Sequence, residues 1–242
     1  MRTKTLLIAA AALAAVVTSS QAQSTVYSQN IVGYVNQTFA TAGASYFLVA
    51  PLTGPTNTAQ ALMSSLQSGD TVLIWNGNGY NVSYYIGPGN GNPAGQDWDD
   101  VNFNPTTSPT LSPGQGFFFQ TTSGLVETNT WVGNVQLTNS IALNTAGGSY
   151  SLGSTPPVAG AADDTNTINL PVVSGDTLLL YNGNGYNTFY YIGPGNGNPV
   201  GQNWDDVNFN PITSPTITVG QGFFYQTTSG GTETWKQNLV IQ

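Results

Sequence analysis

The amino-acid sequence predicts an all-β protein of two tandem β-sandwich-like, jelly-roll-like domains, with one short helix in the first. Three observations carry that reading. Residues 69–124 recur at 175–230 without a gap and differ at twelve of 56 positions, so the chain is built from two copies of one unit. Within a unit, short runs of β-branched and aromatic residues alternate with Asn-Gly and Pro-containing turns, as in all-β folds. In "GQGFFFQTT", Phe117 and Phe119 fall on one face of an extended strand and Phe118 on the other, which suits a strand covered on both sides.

The elements follow in chain order. Residues 1–22 combine Arg2 and Lys4 with an apolar run from Leu6 to Val17 and a small-x-small ending at Ala22, the pattern of a secretory signal peptide. The run is shorter than the roughly 20 residues of a membrane span, so no span is expected in the mature chain. Unit one is read as 23–136 and unit two as 137–242. "TNTAQALMSSLQSG" predicts the helix, with Asn57 or Thr58 as cap, Ala59, Leu62, Met63 and Leu66 as its apolar side and Gly69 as its stop. Pro171 falls inside the matching stretch of unit two and should shorten or break a helix there. "TVLIW" and "YNVSYYI" flank "NGNG" as a hairpin. On its second strand Tyr80, Val82, Tyr84 and Ile86 are expected to face the core, and Asn81, Ser83 and Tyr85 the other side. "VGYV" at Val32, "VGNV" at Val132 and "QNLVI" at Gln237 read as three copies of a boundary strand, the last two each following a Trp. One geometry has the strand leaving unit one also open unit two. Spare strands at the ends would template pairing with a neighbour, giving head-to-tail contact with a second copy through Val32 and Leu239.

Composition narrows the function. Charged residues make up 6% of the chain, against about 25% in an average soluble domain. Beyond residue 22, Lys236 is the only cation against eleven acids, so nucleic acid, whose binding depends on Lys and Arg displacing counterions, is a poor partner. The chain has no His and no Cys, which removes serine-triad, thiol and imidazole-zinc chemistry. Paired Asp residues still raise a glycosidase reading. Asp99 and Asp100 diverge on a strand, however, so a partner would have to come from Asp70 or Glu127.

Two candidate sites remain. "QDWDDVNFN" offers Asp97, Asp99, Asp100, Asn102 and Asn104, and its repeat offers Asn203, Asp205, Asp206, Asn208 and Asn210, all oxygen ligands of the kind Ca²⁺ takes. A standard calcium loop is excluded, because Pro105 stands where it needs Gly and Leu111 where it needs Glu. Asp and Asn that close turns on their own backbone are the competing explanation. The second site is aromatic: Tyr85, Tyr191 and Phe189, if exposed beside Asn, would stack on a neutral sugar ring. "GPGNGNPAG" lacks the Lys and Ser/Thr of a phosphate loop and reads as a wide turn.

With "YSQNIVGYVN" after the signal, then "SYFLVAPL", "GDTVLIWNGNGY" and "PGQGFFF", the chain resembles secreted β-repeat proteins of environmental bacteria. The resemblance implies export and a β-sandwich-like repeat; it implies no activity and no site residues. Unit two departs from it at "SYSLGSTPP" and at Val219 before its closing strand. The expectation is therefore an exported, non-enzymatic structural or adhesive protein, secreted, at the cell surface or in the periplasm. A carbohydrate-binding module is the alternative.

Overall fold

The computed structural model describes residues 32–39, 45–49, 52, 54, 56–77, 79–112, 115–122, 126–135, 138–144, 150–153, 158–228 and 232–238. The signal segment and Leu239 lie outside them. Unit one comprises β1 (Val32–Phe39), β2 (Ser45–Val49), helix α1 (Ala59–Leu62), β3 (Thr71–Trp75), β4 (Tyr80–Tyr85), β5 (Trp98–Asp99), β6 (Pro105–Thr106), β7 (Gly116–Gln120) and β8 (Glu127–Asn134). Unit two comprises β9 (Thr138–Asn144), β10 (Ser151–Gly153), β11 (Gly160–Ala161), β12 (Thr177–Tyr181), β13 (Tyr186–Tyr191), β14 (Trp204–Asp205), β15 (Pro211–Ile212), β16 (Thr216–Ile217), β17 (Phe223–Gln226) and β18 (Thr232–Asn238).

Each unit is a β-sandwich-like domain. A six-stranded antiparallel sheet, ordered β2-β7-β3-β4-β5-β6 in the first and β10-β17-β12-β13-β14-β15 in the second, carries a two-stranded ribbon over one face, β1-β8 or β9-β18. Alternation along the strands builds the core. Val72, Phe117, Phe119 and Trp98 project from the sheet to meet Phe39 and Trp131 of the ribbon, with Leu62 and Met63 closing the side. Unit two repeats this with Leu178, Phe223, Tyr225, Trp204, Leu143 and Trp235.

Helix α1 is shorter than the sequence predicts. Thr58 caps it, its side chain accepting from the Ala61 N–H, but the chain turns extended at Met63 after a single turn. The reason is competition from the ribbon: the buried Asn129 side chain accepts from the Ser64 N–H at 2.6 Å and donates to the Leu62 carbonyl at 3.5 Å, taking up groups that a second helical turn would need. In unit two, with Pro171, residues 163–172 form turns and no helix.

The boundary strands also differ from expectation. "VGYV" and "VGNV" are partners: β1 pairs antiparallel with β8 over its whole length, from Val32 opposite Asn134 to Phe39 opposite Glu127. A separate strand, β9, opens unit two and pairs with β18. The two tryptophans are not equivalent either. Glu127 and Glu233 each accept from a Thr six residues earlier, which aligns Asn129 with Trp235. Both of these donate to a carbonyl 67 residues upstream, of Leu62 and Ile168. Trp131 and Trp235 thus differ by two positions, and the period of two keeps both inward.

The opposite faces of the sheets meet each other. Phe118 and Phe224, both buried, form a third cluster with Leu73, Trp75, Tyr80, Tyr150, Leu179 and Tyr181. Its contacts are reciprocal: Trp75 packs on Phe224 at 5.9 Å, the equivalent Tyr181 packs on Phe118 at 5.3 Å, and the two phenylalanines meet at 6.5 Å. One patch pairing with its own duplicate is the pattern of an isologous, two-fold interface.

Candidate aromatic binding loops

The hairpin that joins β5 to β6 is built by one carboxylate. Asp100 Oδ1 accepts from the backbone N–H of Asn102 at 2.8 Å and of Asn104 at 2.9 Å, and the Asn104 amide returns to both carboxylate oxygens. The Asp100 and Phe103 N–H groups close the turn onto the carbonyls of Asn104 and Asp100. The Asn104 and Asn102 donors hold the Asp100 carboxyl below its usual range, and the same donors act on Asp206 in the other unit, with the Asn210 side chain foremost.

This geometry forces Phe103 into the left-handed region at φ 60°, and Phe209 matches it at φ 60°. A bulky residue there is a genuine outlier and costs about 1–3 kcal/mol. In return the rings are displayed. Phe103 is 72% exposed and Phe209 71%. Each lies flat against a tyrosine from the neighbouring strand, Tyr84 at 5.5 Å and 12° and Tyr190 at 5.5 Å and 11°. Val101 and Val207, two residues earlier in each turn, are also exposed.

The predicted oxygen ligands are not brought together. Asp97 accepts from Gln60 Nε2 and Asp99 from Asn92 Nδ2, both at 2.9 Å, while Asp100 holds its own turn together with Asn102 and Asn104. In unit two Asp205 accepts from Asn198 Nδ2, Asp206 closes the turn with Asn208 and Asn210, and the Asn203 carbonyl accepts from the Ile192 N–H. Among the described residues no three His, Cys, Asp or Glu side chains cluster as a metal site would require.

The aromatic expectation is corrected. Tyr85, Tyr191 and Phe189 pack against the two cores, Tyr85 on Trp98 and Tyr191 on Trp204, each at 5.1 Å. The register explains it: Ser83 lies opposite the fully buried Val72, so the odd-numbered residues of β4 point inward, and Tyr80, Val82 and Tyr84 occupy the outer face. The residues that sequence reasoning missed are Phe103, Phe209, Tyr84 and Tyr190. Their signal was a Phe set inside an Asp/Asn turn, where no strand period could carry it into a core.

The acids considered for a glycosidase are structural. Asp70 is fully buried and accepts from the Gln67 N–H at 2.7 Å and the Thr122 N–H at 3.0 Å. Glu127 is buried beside Thr121.

One pair of differences between the units yields a prediction. Ala59 and Ala162 donate to Pro109 and Pro215 in the same way, so Gln60 corresponds to Asp163. In unit two Trp204 Nε1 donates to Asp163 at 3.1 Å, whereas the buried Trp98 Nε1 has no partner. The double change Gln60→Asp with Asp97→Asn gives unit one the arrangement of unit two. A hydrogen bond to a charged acceptor adds about 1.5–3 kcal/mol, so calorimetry should show Tm higher by roughly 3–8 °C. An unchanged Tm would mean that the Trp98 indole is already satisfied.

No known protein family, curated protein or solved structure matches the chain.

Proposed function

We propose that the chain is an exported, non-enzymatic adhesive protein of the cell surface or extracellular matrix, which attaches through two equivalent loops. The observation that carries this reading is the duplicated display of a strained, exposed phenylalanine, Phe103 and Phe209, each backed by a tyrosine. Strain of this kind persists where the surroundings impose it, and it gathers at functional positions. Catalysis has less support, since the acids described above are engaged in holding turns and strand ends.

The test is sedimentation of the purified protein with cells that produce it and with the insoluble matrix around them. The wild-type protein should pellet with one of these, and the Phe103→Asn/Phe209→Asn double variant should stay in the supernatant. Wild-type protein that remains in the supernatant overturns the adhesive reading.

A further inference from the structure

We propose that the Tyr84–Phe103 and Tyr190–Phe209 pairs are stacking subsites for uncharged sugar rings, and that together they grip a neutral polysaccharide. The inference rests on the adhesive reading and names its ligand class.

Charge selects the ligand. Lys236, on β18, is the only Lys or Arg among the described residues, so neither loop carries a cation to pair with sulfate, phosphate or uronate groups, or with an anionic lipid surface. The nearest ionised groups, Asp100 and Asp206, are acidic and engaged by their own turns, and would repel acidic sugars.

Size narrows the choice further. A stable protein partner covers about 800 Å² per side, whereas each loop offers one stacked ring pair and a single valine. A pyranose matches that footprint: its C–H face lies on an aromatic ring while its hydroxyls meet polar groups at the edge. Asn102 and Asn208, exposed beside the rings, are suited to that edge. Duplication then matters, because two linked weak sites on one polymer gain roughly 10²-fold or more in avidity, and a polysaccharide repeats its unit along the chain.

The strain supplies a control. Asn adopts the left-handed region more readily than Phe, so Phe103→Asn and Phe209→Asn should keep the turn and leave Tm no lower than that of the wild type. The experiment is affinity electrophoresis through gels containing hydroxyethyl cellulose, glucomannan or galactan, with alginate and chitosan as the charged counterparts. Expected is retardation by at least one neutral polymer, unaffected by added salt, about tenfold or more weaker in each single variant and abolished in the double. Retardation by alginate or chitosan alone, or equal retardation of the double variant, overturns the proposal. If no neutral polymer retards the wild-type protein while the double variant still loses matrix attachment, the sugar subsite falls and the adhesive reading stands.

Discussion

Replacing Asp70 by Ala is expected to cost about 2–5 kcal/mol and to lower Tm by roughly 5–15 °C, because it removes a fully buried carboxylate that holds two part-buried backbone donors at once. The carboxylate is fully buried and ties the turn before β3 to the end of β7, accepting from the Gln67 and Thr122 N–H groups. A hydrogen bond to a charged acceptor contributes about 1.5–3 kcal/mol, less where water can reach the donor, and a protein of this size loses about 2–4 °C per kcal/mol. Asp176 makes the same clamp to Val173 and Thr228 and also accepts from the Tyr225 hydroxyl, so Asp176→Ala should cost at least as much.

The change also removes a pH dependence whose direction is fixed. Burial raises the Asp70 pKa above 3.8, against the opposing pull of its Gln67 and Thr122 hydrogen bonds. A raised carboxyl holds its proton more tightly in the folded state. The pH-dependent part of its contribution is therefore complete below pH 3.8 and is lost as pH rises through the folded value, on top of the hydrogen bonds that Ala removes. Asp100, Asp164 and Asp206 run the other way: hydrogen bonds hold their carboxyls below 3.8, so their contribution is present above that pH and fades as acid protonates them. Urea titrations over about pH 3–7 should show Asp70→Ala flattening the decline above 3.8 while the acid limb stays. Parallel slopes in variant and wild type would refute the raised pKa.

The alternating strands, the hairpin and the two-copy plan were legible because each rests on local pattern: β-branched runs, Asn-Gly steps and a gapless repeat. Which face of β4 turns inward was not, because the inner face carries Asn81 and Ser83 beside Tyr85, whereas the outer face, Tyr80, Val82 and Tyr84, is the more apolar. Tyr85 packs on a core tryptophan, whereas Tyr80 packs on Phe118 at the junction of the two sheets. In a strand that serves both a core and an interface, the more apolar face need not be the one that faces its own core. The short helix was legible but its length was not, since Asn129, 67 residues away from Leu62, takes up the groups of its next turn. The exposed loops were legible only in half. "DDVNFN" announced an Asx-type turn, but that the turn would drive Phe103 to positive φ and hold it against Tyr84 depends on where β4 lies beside β5, a neighbour set by the whole sheet.

Phe118→Ala with Phe224→Ala is expected to uncouple the two domains. Each has its own core, and the reciprocal aromatic cluster joins them into one compact unit. Truncating a buried Phe costs about 3–5 kcal/mol, and the partners lost lie on both sides of the junction: Phe118 touches Tyr181 and Phe224 across it and Tyr80 in its own domain, while Phe224 touches Trp75 and Phe118 across it and Tyr150 and Tyr186 in its own. Both single changes delete the Phe118–Phe224 contact, so their costs must overlap. The double variant should lose less than the sum, with a coupling within the range of about 0.5–3 kcal/mol found for residues in contact. The near-symmetry of the patch predicts similar costs for the two singles. Calorimetry of the wild-type protein should give one transition, and of the double variant two, because domains with intact cores but no shared aromatic cluster unfold separately. A single transition in the double variant, with strictly additive costs, would mean that the domains are coupled elsewhere than through the Phe118–Phe224 cluster.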